Sequence, residues 1–455
     1  MTLVLFVLFA VLEILLACAG RGREKSRKTW RKNRLLVRAA EFALALLALL
    51  LPGGQKWRFV PLLAVLALLL LIAALRWLSG RKKADGVKKT GAAVASCLLS
   101  LLCLTLLLAP AFVFTGYNGL PVSGPHPIAQ SAVILIDHSR TDPFEQDDSF
   151  REVPVHFYYP ADAAEGERFP LVVFSHGAFG YYESNTSTYM ELASNGYVVA
   201  ALDHPHHAFF TTDTAGKTVL VDQNFFSTAS SLNNSNSYDD PEIRYPIYRD
   251  WMALRTADMN AVLDTLKAAA ESAALDEAWF LPEENDEAIL GLLNHTDLSR
   301  IGLMGHSMGG ATAVQLGRER DDIAAVIDLD GTMLGEFLGA EKGEYRINEE
   351  PYTLPLLEFV NWEQYNDRKE YPALGYRYPN DLLLEKAADA HMVTVRDTLH
   401  MDYTDLPLLS PVLGDLLGSG ERSSEETMTI VNALVLEFCN AYLKGEGAFT
   451  AEEIY

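Results

Sequence analysis

Residue 116 divides this chain into two segments that read as belonging to different solvents. Before it stand 17 Lys and Arg against 4 Asp and Glu; the whole chain has a net charge of −23, so the remainder carries −36. The N-terminal segment is built from four apolar runs, residues 3–18, 35–51, 59–78 and 92–114. A helix of roughly 20 apolar residues crosses the hydrocarbon core of a bilayer. Residues 1–115 are therefore expected to form an all-α transmembrane region of about four helices. Glu13 and Glu41 fall inside these runs, and an ionisable group there is expected near a helix end or against a neighbouring helix.

The loops between the runs give an orientation. Residues 21–34 carry eight basic side chains and residues 81–89 carry five, whereas residues 52–58 carry two. Excess Lys and Arg stay on the cytoplasmic side. The N-terminus and everything after residue 114 are then expected outside, as in a multi-pass integral protein of a bacterial cell membrane. No basic residue precedes the first run and its charge follows it, the reverse of a cleaved signal peptide. Cys18, Cys97 and Cys103 lie in the apolar runs and Cys439 is alone in the acidic segment, so no disulfide is expected there.

Within the acidic segment a single pentapeptide carries chemistry. Gly305-His306-Ser307-Met308-Gly309 follows an apolar stretch, 301–304, and runs into Gly310-Ala311-Thr312-Ala313, a plausible helix start. A G-x-S-x-G between strand and helix is the nucleophile elbow of an α/β-hydrolase. The glycines are required because the turn is too tight for neighbouring side chains. The serine oxygen is lifted out of the sheet, and the helix N-terminus offers backbone N–H groups to an anion.

The surroundings suit that fold. Residues 131–136, 151–159, 169–175, 197–202, 323–329, 355–360 and 391–395 read as strands. Helical segments separate several of them, at 185–195, 248–270 and 431–443. Unbroken apolar strands alternating with helices imply a mostly parallel, doubly wound sheet. The expected organisation is a linker at 116–130 and an α/β-hydrolase domain at 131–455. Residues 211–246, polar and without period, read as a loop excursion; residues 271–294 read as an acidic insertion. A domain of this charge repels phosphates, so no nucleic-acid partner is expected.

A serine needs a histidine base, and the base needs a carboxylate. His400 is the last histidine and sits in a loop after a late strand, whereas His391 opens a strand and reads as packing. Asp330 closes the strand after the elbow helix, at the edge where ligands bind in such sheets. Asp328 lies one pleat repeat deeper, and Glu363 and Asp367 are the alternatives beyond the next strand. Two oxyanion donors are expected, the backbone N–H groups of Met308 and of Ala178 in the turn after Ser175-His176-Gly177. His176 reads as a structural turn residue. Asp203-His204-Pro205-His206-His207 lacks metal-ligand spacing and reads as a loop lining the pocket mouth. No metal, nucleotide or other cofactor is implied.

These residues resemble the platelet-activating factor acetylhydrolase family of serine lipases. The matching pieces are Arg151-Glu-Val-Pro-Val with Tyr158-Tyr-Pro160, Val173-Phe-Ser-His-Gly177, Gly305-His-Ser-Met-Gly-Gly-Ala-Thr312, Ile327-Asp-Leu-Asp330, and Thr394-Val-Arg396 with Leu399-His400. The resemblance covers roughly residues 132–443. It implies Ser307 as nucleophile, Asp330 as acid, His400 as base, and Ala178 and Met308 as oxyanion donors. The expected activity is hydrolysis of short-chain acyl esters or phospholipid-like substrates at a membrane. Alternatives are a cutinase-, polyesterase-, peptidase- or dienelactone-hydrolase-like enzyme of the same fold, or a non-catalytic membrane protein on a hydrolase scaffold.

Overall fold

The computed structural model describes residues 2–19, 26–50, 56–80, 89–234, 240–282 and 285–455. Much of the basic stretches on which the expected orientation rests, 21–25 and 81–88, lies outside the described residues, as does most of the 52–58 loop. The chain forms two compact units: Met1–Gly119 with Pro407–Leu416, and Leu120–Leu406 with Leu417–Tyr455.

The first unit holds helices α1 (Thr2–Ala19), α2 (Arg27–Leu50), α3 (Val60–Gly80) and α4 (Thr90–Val113). Phe9, Ala45, Leu62, Leu66, Leu104 and Leu108 meet at its core. Its outer face is apolar too, with Leu71, Leu99 and Leu106 more than half exposed. An apolar exterior of this kind is what a lipid-facing helix presents. Among the described residues three helices are long and apolar enough to cross a membrane: Thr2–Ala19, Lys56–Gly80 and Thr90–Val113. The run at 35–51, expected as a fourth span, differs. It continues a helix that starts at Arg27 and carries Arg34, Arg38 and Glu41 along with it. Those charges turn inward. Arg34 Nη1 reaches both Glu13 oxygens at 2.7 and 3.0 Å. Arg38 pairs with Glu13 at 3.0 Å and with Glu41.

The second unit is organised by thirteen strands among the described residues. Nine form one sheet: β1 (Ile128–Thr141), β2 (Phe150–Pro160), β3 (Phe169–Ser175), β4 (Val198–Leu202), β7 (Trp279–Phe280), β8 (Thr296–His306), β9 (Ile323–Leu329), β12 (Leu356–Val360) and β13 (Ala390–Thr394). β5 (Phe210–Thr212) pairs with β6 (Thr218–Leu220), and β10 (Phe337–Glu341) with β11 (Glu344–Ile347), as separate hairpins. The sheet order is β13-β12-β9-β8-β3-β4-β2-β1-β7. From β13 to β4 every pairing is parallel; β2, β1 and β7 extend it antiparallel.

Both faces are covered, as the unbroken apolar strands require. Helices follow in order: α5 (Thr186–Ser194), α6 (Gln223–Asn234), α7 (Pro241–Ser272), α8 (Asp286–Asn294), α9 (Met308–Glu319), α10 (Trp362–Glu370) and α11 (Pro379–Lys386). Leu171 and Val173 of β3 share a core with Met259, Val262 and Leu266 of α7. The alternate residue Phe174 packs on Tyr189 of α5 with ring centroids 4.9 Å apart.

Four segments differ from the sequence reading: β1 starts at Ile128, inside the expected linker, and runs on to Thr141, and the closing helix spans Ser424–Cys439 rather than 431–443. The 211–246 excursion contains the β5–β6 hairpin, α6 and the first turn of α7. α7 starts seven residues earlier than its apolar period does, because Pro241 opens it and Asp240 caps it, accepting the Glu242 N–H at 2.9 Å. The 271–294 insertion supplies the edge strand β7 and the capped helix α8, in which Asn285 accepts the Ala288 N–H at 2.9 Å.

Candidate active site

β8 ends at His306 and α9 begins at Met308, so Ser307 alone makes the turn between them. Its backbone has φ +55° and ψ −123°. That conformation costs a side-chain-bearing residue about 1–3 kcal/mol and persists only where the surroundings impose it. They do. A Cβ on Gly305 would stand 2.2 Å from the Gly309 backbone, and one on Gly309 would stand 1.9 Å from the Ser175 carbonyl oxygen. The Ser307 N–H donates to the Leu329 carbonyl at 2.9 Å, tying the turn to the neighbouring strand.

The other groups follow the carboxyl ends of adjacent parallel strands. Asp330 comes directly after β9, also at positive φ (+59°). Its carboxylate accepts the Asn361 backbone N–H at 2.6 Å and the Asn361 side-chain amide at 2.9 and 3.1 Å. Its Oδ2 accepts from His400 Nδ1 at 2.6 Å. The Asp330 side chain is 0 % exposed and that of His400 is 43 % exposed, so the carboxylate lies behind the ring. Burial alone would raise the Asp330 pKa. The His400 ring and the two Asn361 donors outweigh it and hold the carboxyl below the ordinary range. With Nδ1–H committed to Asp330, the neutral His400 ring keeps Nε2 as its free acceptor.

Of the four carboxylates considered from sequence, Asp330 is the one in contact with His400. Asp328 instead accepts the Gly331 N–H at 2.9 Å beneath the elbow. Burial first, then the Glu358 and Asp330 charges, push its carboxyl well above the usual range. Glu363 and Asp367 lie exposed on α10. The position next to β12 is taken by Asn361, a residue the sequence reading passed over; its place at a strand end was the available signal. His306 was also missed. Buried, and beside His400, it is held neutral with its pKa lowered to about 3. Its Nε2–H donates to the His400 carbonyl at 3.2 Å.

Ala178, Ser307, Met308, Asp330, Asn361 and His400 line one cavity of about 530 Å³. Its walls are aromatic, with Tyr248, Trp251, Phe337, Tyr345, Tyr376 and Tyr378. A larger cavity of about 1110 Å³ shares Trp251 but holds neither Ser307 nor His400. Met308 is the first residue of α9, so its N–H has no acceptor within the helix.

The Ala178 turn is held from below by a buried polar network. Arg255 Nη1 donates to the His176 carbonyl at 2.5 Å and Nη2 to the Gly177 carbonyl at 3.3 Å. The Gly177–Ala178 peptide is trans, so with its carbonyl drawn to Arg255 its N–H points away from the guanidinium. Ser175 Oγ donates to His204 Nε2 at 2.8 Å, and His204 Nδ1 donates to Asp258 at 3.0 Å. Arg151 pairs with the same Asp258 at 2.8 Å. Ser175, His204, Arg255 and Asp258 are all fully buried. His204 is thus an internal support, while Pro205 and His206 line a small cavity and His207 the one of about 1110 Å³; none of them is among the residues lining the Ser307 cavity. Ser175, His204 and Asp258 form a hydrogen-bonded Ser-His-Asp array sealed inside the fold.

The fold and the site's position define an α/β-hydrolase: a mostly parallel sheet with a serine elbow after a central strand and the other polar groups at neighbouring strand ends. A ferulic acid esterase from Streptomyces cinnamoneus has the same fold, with a TM-score of 0.51, 20% identity, and coverage of 73% of this chain and 95% of the other. The sequence profile of platelet-activating factor acetylhydrolase, isoform II, matches residues 149–451, and the chain belongs to that family. The platelet-activating factor acetylhydrolase of Cavia porcellus is 23% identical over 292 residues, 61% of this chain and 58% of its own length. That of Gallus gallus is 24% identical over 298 residues, 61% and 63% respectively. The chain thus spans about three fifths of the length of these curated relatives.

Proposed function

We propose that this chain is a membrane-anchored serine esterase or lipase. Its substrates are short-chain acyl esters or phospholipid-like molecules resembling platelet-activating factor. Ser307 attacks the ester carbonyl while His400 Nε2 takes its proton, and Asp330 stabilises the imidazolium. The Ala178 and Met308 N–H groups hold the oxyanion, each such donor contributing about 3 kcal/mol to lowering the barrier. His400 returns the proton to the leaving alcohol, and water then hydrolyses the acyl-enzyme by the same route. No cofactor enters these steps.

The observation that carries the reading is the strained Ser307 turn opening on the same cavity as the His400–Asp330 pair. The strain has no packing use, since the residue faces a cavity rather than a core. The aromatic walls favour an apolar acyl or leaving group. The three apolar helices support anchoring, and the loop charges favour an extracytoplasmic position for the acidic segment. Replacing Ser307 with Ala should abolish p-nitrophenyl butyrate hydrolysis and leave thermal melting nearly unchanged. Turnover retained by that variant would refute the assignment.

A further inference from the structure

We propose that the basic end of the helical unit is a binding site for the anionic headgroup of a membrane phospholipid; this rests on the anchoring proposed above. A cavity of about 420 Å³ lies among α2, α3 and α4. Six of its described lining residues are cationic, Arg27, Arg31, Arg34, Arg38, Arg76 and Lys89, and among the described residues of the lining none is a carboxylate.

Two of these cations are held in place. Arg34 and Arg38 both reach Glu13 and both donate to Ser100 Oγ, Arg38 at 2.6 Å. Arg38 also pairs with Glu41, and Glu13 and Glu41 are fully buried behind them. Two carboxylates therefore balance these two guanidinium groups and fix their direction. Arg31, Arg76 and Lys89 have no carboxylate partner among the described residues. Arg31 is nevertheless packed in place: a Cβ on Gly80, the last residue of α3, would stand 1.8 Å from its Nη1.

Like charges gathered in one cavity repel unless an anion sits among them. The chemistry of that anion follows from the opposite wall. Leu69, Ile72, Ala73 and Ala92 also line the cavity. They adjoin a helix face on which Leu68, Leu71 and Leu75 are each more than half exposed. A phosphate with an acyl chain attached satisfies both walls, and a free phosphate satisfies only one. Trp30, on the same lining, is the residue type that sits at headgroup depth. Basic pockets between membrane helices are known to take phospholipid headgroups of this kind.

The test is native mass spectrometry of the full chain in detergent, with phosphatidylglycerol or phosphatidylcholine added. Phosphatidylglycerol should be retained and phosphatidylcholine should not. The Arg31→Gln, Arg76→Gln double variant should weaken retention about thirtyfold, at about 1 kcal/mol per basic residue. The Arg31→Lys, Arg76→Lys variant should keep it within a few fold, since the charges remain. Equal retention of the two lipids, or equal behaviour of the Gln and Lys variants, would overturn the site. So would displacement of the lipid by millimolar inorganic phosphate, which would mark a soluble-anion pocket instead. Carbonate washing of membranes separates the two readings. Release of the chain would overturn the anchor and the site together, and firm retention without phosphatidylglycerol preference would overturn the site alone.

Discussion

His400 Nδ1 lies 2.6 Å from Asp330 Oδ2, joining the end of β9 to a loop 70 residues further along the chain. The contact fixes the ring's tautomer. Replacing Asp330 with Asn removes the charge and lets the ring adopt the other tautomer. Activity on a soluble ester should fall by about 10³–10⁴ in kcat. Asp328→Asn should stay within a few fold of the parent, because burial and the neighbouring Glu358 and Asp330 charges favour its neutral form and its Oδ1 only accepts the Gly331 N–H. Steady-state kinetics on both variants check this, and equal losses would remove the distinction between the two carboxylates.

Arg255 acts through the turn it clamps. Burial lowers its pKa to about 9, with Asp258 opposing, so it stays protonated at neutral pH. Arg255→Met frees the His176 and Gly177 carbonyls, and the Ala178 N–H loses its fixed direction. The expected result is a fall in kcat of about 10², in the range of a lost oxyanion donor, with KM little changed. Arg255→Lys should recover some of it. A rise in KM alone would show that Arg255 serves substrate binding instead.

How much of this was legible in the sequence depends on where the signal lay. The strands β3 and β9 could be placed to the residue because both faces are buried and their apolar runs stop at polar turns. Ser307 and Asp330 could be read as candidates because each directly follows an apolar strand, β8 and β9, and His400 because it is the last histidine, in a loop after β13. α6 could not be placed, since its buried Phe225, Ala229 and Leu232 are diluted by Ser and Asn. The network under the Ala178 turn was missed for a different reason. Arg255 and Asp258 interrupt the apolar face of α7 between Met252 and Met259, and two charges on a buried stripe were a readable warning. Their partners, the His176 and Gly177 carbonyls for Arg255 and Arg151 and His204 for Asp258, arrive from distant parts of the chain and could be found only in three dimensions.

Asp203 gives a prediction in pH. Burial pushes its carboxyl up to about 8, only partly offset by the Tyr182 N–H donating at 2.7 Å. The folded state therefore holds this proton more tightly than the unfolded chain. Its stabilising effect is complete below pH 4 and is lost as the pH rises towards 8, at about 1.4 kcal/mol per pH unit. Asp203→Asn keeps the acceptor and cannot ionise. Its melting temperature should gain on the parent steadily between pH 5 and pH 8. Parallel melting curves across that range would show that Asp203 is ionised in the folded protein.

Gly309→Ala probes the elbow's packing. The new methyl would meet the Ser175 carbonyl at 1.9 Å, so α9 must move off β3. Overpacking of this kind costs about 1–3 kcal/mol or more, and the displaced Met308 N–H should take activity with it. A variant that melts and turns over like the parent would mean that the elbow has room the structure does not show.

Ser307 opens on the cavity that His400 and Asp330 also line, whereas Ser175 is sealed inside with His204 and Asp258, and the proposed function stands only if Ser307 reacts. Treating the full-length protein with a fluorophosphonate and mapping the adduct by peptide mass spectrometry distinguishes them directly. Ser307 should be labelled stoichiometrically, with labelling lost in His400→Ala and kept in His204→Asn if that variant folds. Labelling of Ser175, or no labelling of a folded protein, would contradict the assignment.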